Sequence, residues 1–154
     1  MYAKTAVNKT LWKEKVDAFK KWGWSEEDSL EAFRKKPYSM LTSIDKINLV
    51  MNFWVNQLGR DAMAIAKTPY ILSSSLEKRI IPRASVVLLN KGLTNKNASL
   101  TYPFVVTDKL FLNMFIKRFE NEASYLFLKL YEEKRNLGYT RDKTCMSWLG
   151  FHVF

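Results

Sequence analysis

The chain repeats itself at intervals of 32 to 36 residues, and this period limits what it can fold into more than any other property. Pro37, Pro69 and Pro103 follow one another at 32 and 34 residues, and Gly23, Gly59 and Gly92 precede them at 36 and 33. The text after each proline repeats too. PYSMLTSIDKI from Pro37 and PYILSSSLEKR from Pro69 pair Tyr38 with Tyr70, Ser43 with Ser75, Ile44 with Leu76 and Lys46 with Lys78. PFVVTDKLF from Pro103 is a shorter third copy. A unit of this length cannot bury an apolar face alone, so successive units must stack.

Each unit reads as two helices and a turn. Ser25-x-x-Asp28, Thr42-x-x-Asp45 and Ser74-x-x-Glu77 have the spacing of capping boxes, in which a hydroxyl and a carboxylate satisfy free backbone N–H groups. The serine run Ser73–Ser75 is explained by this capping rather than by a nucleophile. Ile47, Val50, Met51, Trp54 and Leu58 fall on one apolar helical stripe that Gly59 ends, with a shorter helix through Ala62 to Lys67 behind it. Pro82 falls inside the helix opened near Glu77 and predicts a kink there or a helix that restarts. Residues 107–117 and 121–135 predict a last pair, with Leu110, Met114, Ile116, Tyr125, Leu126, Leu128 and Leu130 as core. Trp22, Trp24, Phe33, Phe53 and Trp54 are also predicted to be core rather than base-stacking groups. The fold class is all-α, an α-solenoid of about three repeats. A leader over 1–10, an array over 11–135 and a tail over 136–154 without clear periodicity complete the reading.

Charge narrows the function. Twenty-five Lys and Arg against 15 Asp and Glu give +10, a balance suited to a polyanion. Residues 51–100 carry 7 basic and 2 acidic groups, the largest local excess. No stretch has the ~18 apolar residues of a membrane span. One cysteine and one histidine, Cys145 and His152, exclude an internal disulfide and a multi-cysteine zinc site. The singly scattered glycines form no phosphate-cradling loop, and the acidic pairs have no acid–base spacing. Neither an enzyme nor a cofactor is expected.

Stacked repeats set equivalent positions in rows. Lys35 and Lys67 lie two residues before their prolines, and Lys46 and Lys78 nine after, with Arg79 and Arg83 following on the same helix. These six are the predicted nucleic-acid-binding residues. The two arginines are favoured by the fit of guanidinium to phosphate. Six neutralised phosphates would give a slope near −5 for log affinity against log salt.

The runs KKWGWSEEDSLEAFRKKPY (20–38), IAKTPYILSSSLEKRIIPR (65–83) and FENEASYLFLKLYEEK (119–134) resemble repeats of the mitochondrial transcription termination factor (mTERF) family, especially its plant members. The resemblance covers about residues 11–135. It implies a right-handed solenoid whose units each have two α-helices and a 3₁₀ turn after the proline. It also implies residence in mitochondria or chloroplasts, and binding, mainly to double-stranded DNA, that regulates and terminates organelle transcription. Family members are longer, so the chain reads as a short or truncated member. The expected partner is double-stranded DNA, bound by a monomer, with no small-molecule substrate and no membrane. The alternatives are an RNA-binding splicing or processing factor and a protein-binding scaffold.

Overall fold

Every regular element in the computed structural model of the chain is a helix, among the described residues 9–89, 100–117 and 122–137. The predicted leader except Lys9 and Thr10, Gly92, and the tail from residue 138, with Cys145, Trp148, Phe151, His152 and Phe154, lie outside them. None of the described helices is long and apolar enough to cross a membrane. The chain divides into two compact units, Met1–Ser73 and Ser74–Phe154.

The first unit opens with α1 (Lys9–Lys20) and α2 (Glu26–Lys35), followed by a 3₁₀ turn (Pro37–Leu41). Then come α3 (Ile44–Met51), which runs into a π-helical turn (Asn52–Gln57), α4 (Met63–Lys67) and the single turn α5 (Tyr70–Ser73). Gly23 (φ +90°) and Gly59 (φ +63°) end their helices in the left-handed region that a side chain disfavours. The predicted stripe faces inward, for Ile47, Val50, Met51, Trp54 and Leu58 are all buried. Trp24 and Phe53 are buried as predicted, and Trp22 and Phe33 partly so. Trp24 stacks on Phe19 at 4.2 Å between ring centroids and donates from Nε1 to the Ala62 carbonyl at 3.1 Å. Lys15 is buried too. Its Nζ donates to the Thr42 carbonyl, and burial lowers its pKa below the usual lysine value.

The second unit begins with a π-helical turn (Leu76–Ile80) leading into α6 (Ile81–Leu89). It continues with α7 (Tyr102–Val105), α8 (Asp108–Phe111) with its π-helical turn (Leu112–Ile116), and α9 (Glu122–Leu137). The helix does not restart at Pro82: the π-helical turn runs directly into α6 at Ile81, whose backbone is helical. Ile80 donates to the Ser75 carbonyl at 3.0 Å, five residues back. This wider ladder relieves the clash a proline ring makes with the preceding turn. Pro82 is the second residue of α6, directly after this wider turn.

Three sequence expectations need correction. First, the 3₁₀ turn follows Pro37 only, among the described residues; the turns at Pro69 and Pro103 close as single α-turns. Both still start with bonds between residues three apart, Leu72 to Pro69 and Phe104 to Thr101. Second, the boxes predicted at Thr42 and Ser74 are displaced by one residue. The N-caps are Ser43 and Ser75, whose Oγ atoms accept from the N–H groups of Lys46 (3.2 Å) and Lys78 (3.1 Å). Thr107 caps α8 in the same way, so the caps recur at two equal intervals of 32 residues. Among the described residues, only Ser25 with Asp28 forms a reciprocal box. Ser43→Ala will therefore lower stability by about 1 kcal/mol and Thr42→Ala by less, read from paired urea denaturation curves.

Third, the core of the last helices is on a neighbouring face. Leu110, Met114, Tyr125 and Leu126 are exposed, and Leu128 and Leu130 are half-buried; of the predicted set only Ile116 is fully buried. Phe111, Phe115, Phe127 and Tyr131 fill the core with Val86, Val106 and Ile116. Phe111 sits 5.1 Å from Phe115 and 5.5 Å from Tyr131, ring to ring. Rings remove more apolar area from water than Leu or Met, which settles which face turns inward.

Candidate nucleic-acid interface

A cation can meet a phosphate only if its head reaches solvent, so the six predicted residues separate by burial. Lys35 is exposed at the end of α2, with Nζ 2.8 Å from Glu31 in an i,i+4 pair. Lys67 is exposed at the end of α4 and Lys78 in the first turn after its cap. Lys46, half-buried, reaches the Ser73 carbonyl at 3.4 Å. These four keep access to solvent.

Arg83 does not, and Arg79 reaches solvent only in part. Arg83 is completely buried. Its Nη1 donates to the carbonyls of Pro103 (2.9 Å) and Val106 (2.6 Å), its Nη2 donates to Asp108 Oδ1 (2.7 Å), and its guanidinium lies 4.8 Å over the Phe111 ring. The predicted phosphate contact of Arg83 is thereby overturned: no face of it is open to a ligand. Arg79 is half-buried and donates from Nη2 to the same Val106 carbonyl at 2.7 Å. Both arginines hold the turn between α7 and α8 against the helix after Ser75. The Asp108 carboxyl is held below its ordinary value of 3.8, first by the hydrogen bond from Arg83; burial opposes this and the charges of Arg83 and Arg79 assist it.

The repeat explains why. Four residues after the caps Ser43, Ser75 and Thr107 stand Ile47, Arg79 and Phe111, and eight after stand Met51, Arg83 and Phe115. Every one of these except half-buried Arg79 is buried. Both arginines thus occupy core positions of the repeat. Lys46 and Lys78, three after their caps, share their position with Leu110; Lys78 and Leu110 are exposed and Lys46 is half-buried.

Residues that the charge rows passed over lie on one edge of the first unit. The 3₁₀ turn packs against α5. Lys36, just before the turn, places Nζ 5.3 Å from the centroid of the Tyr70 ring. Tyr38, inside the turn, is 74% exposed, and Tyr70 is 36% exposed. The signal was available: both tyrosines directly follow a repeat proline, at a position with no part in the apolar stripe.

Comparison with known proteins agrees with this architecture. The mTERF family model matches residues 5–112. The mitochondrial transcription termination factor MTERF15 of Arabidopsis thaliana is 28% identical over 125 residues, 80% of the chain. The chain spans 28% of the length of that relative. No solved structure matches.

Proposed function

Because the chain belongs to the mTERF family, we propose that it binds nucleic acid, double-stranded DNA above all, and regulates transcription, including its termination, in an organelle. The similarity to a protein named as a mitochondrial transcription termination factor supports a mitochondrial setting. The observation that carries the reading is the recurrence of solvent-reaching lysines at equal repeat positions: Lys35 and Lys67 before the prolines, Lys46 and Lys78 after the caps. Lysine acts on phosphate as a point charge and needs no fixed geometry, so such positions can follow a backbone of any sequence. The mechanism is occupancy. A protein gripping the duplex through its phosphates obstructs or directs a polymerase without chemistry of its own.

With Arg83 withdrawn and Arg79 bonded inside the unit, about four phosphates remain to be neutralised. Log affinity for a mixed-sequence duplex will then fall with log salt at a slope near −4. Filter binding at four salt concentrations measures it, and a slope near zero would refute the phosphate grip. Replacing Lys35, Lys67 and Lys78 together by Ala will weaken specific and random duplexes alike and flatten the slope by about three.

A further inference from the structure

We propose that the edge of the first unit formed by the 3₁₀ turn and α5 is a stacking platform for unpaired bases, with Tyr38 and Tyr70 as its rings and Lys36, Lys46 and Lys67 as its phosphate partners. The inference rests on the nucleic-acid reading above and adds a ligand class, single-stranded nucleic acid. It starts from an anomaly. A tyrosine ring standing in water forgoes the stabilisation that burial would give it. Yet Tyr38 is 74% exposed in a unit whose other aromatics are largely turned inward. The next copy of the repeat places Tyr70 at the same position, also exposed at 36%.

The surroundings suit a nucleic acid rather than an apolar partner. Lys36 lies 5.3 Å from the centroid of the Tyr70 ring, the disposition of a cation over a π face. Lys46 is brought to the same element by its contact with the Ser73 carbonyl. Lys67 stands three residues before Tyr70 and is exposed. Rings flanked by lysines offer the two things a single strand presents in alternation, flat bases and phosphates. A duplex keeps its bases stacked inside and can use only the lysines. The third copy differs, since Phe104 is buried where the tyrosines are exposed, so the platform belongs to the first unit.

The test uses the full chain, a 12-nucleotide oligouridine RNA and a 12-base-pair mixed DNA duplex, with affinities read by fluorescence anisotropy at one salt concentration. Tyr38→Ala will lower affinity for the oligouridine about tenfold, and the Tyr38→Ala, Tyr70→Ala pair further, while duplex affinity stays within twofold. Tyr38→Phe will keep wild-type affinity because the π face remains. Thermal melts of each variant confirm folding, and Tyr38→Ala alone suffices if the double variant melts early. Unchanged oligouridine affinity in Tyr38→Ala, with wild-type binding intact, would overturn the platform and leave the phosphate reading standing. Wild-type chain that binds neither probe would overturn both.

Discussion

Arg83→Ala will destabilise the second unit by about 2–4 kcal/mol, out of a total that for domains of this size is about 5–15 kcal/mol. The substitution removes a completely buried side chain and its bonds to Pro103, Val106 and Asp108. It leaves the Pro103 carbonyl without this donor, an omission worth about 1–3 kcal/mol for a buried group, and opens a cavity beside Phe111. Val106 keeps Arg79, so its loss is smaller. The Asp108 side chain is 56% exposed, so its share of the pair is discounted for solvent. Arg83→Met keeps much of the volume without a charge and will lose less. Acid acts through the same bond. A carboxyl whose folded pKa lies below its ordinary value stabilises fully above that value and loses the contribution as pH falls through the folded one. The gap between wild type and Arg83→Ala will therefore narrow below about pH 4. Urea denaturation at pH 7 and pH 3 measures both effects. A variant as stable as wild type but weakened toward duplex DNA would return Arg83 to the interface.

That arginine also shows how far the sequence could be read. Helical pairs, the buried stripe from Ile47 to Leu58, the cap at Ser25 and an irregular ladder before Pro82 follow from spacing and from what proline and glycine permit. At Arg79 and Arg83 charge is a poor guide to exposure. The pairing of Ser43 with Ser75 already set Arg79 beside Ile47 and Arg83 beside Met51, two members of the predicted stripe. Periodicity outranks side-chain type here because the backbone carbonyls at Pro103 and Val106 need donors, and a core arginine can supply them. The same pairing leaves Lys46 and Lys78 at a repeat position that reaches solvent in each unit, Lys46 half-buried and Lys78 exposed. Leu110, Met114, Tyr125 and Leu126 mislead for a different reason. Two apolar faces compete on those helices, and only the positions of Phe111, Phe115 and Tyr131 in space decide between them.

Trp54→Ala will cost the first unit about 3–5 kcal/mol, the range for deleting a fully buried large ring. The indole is both filling and fastening. Nε1 donates to the Asp61 carbonyl at 2.9 Å, which ties the end of the α3 segment to the loop leading into α4. Arg60 lies with its guanidinium carbon 5.8 Å from the ring centre, and burial lowers its pKa below the usual arginine value. Trp54→Phe keeps most of the packing and loses the bond to Asp61, so about 1–2 kcal/mol of the effect will remain. The consequence for binding is indirect. Trp54 is buried while Lys67 stands at the end of α4, beyond the loop that the indole fixes. Folded Trp54→Phe protein will therefore keep wild-type duplex affinity and salt slope, whereas Lys67→Ala will keep stability and lose affinity. Chemical denaturation paired with filter binding separates the two. A Trp54→Ala loss below about 1 kcal/mol would mean that the site collapses around the deletion or that the ring is not enclosed, and the buried stripe would then lose its main anchor.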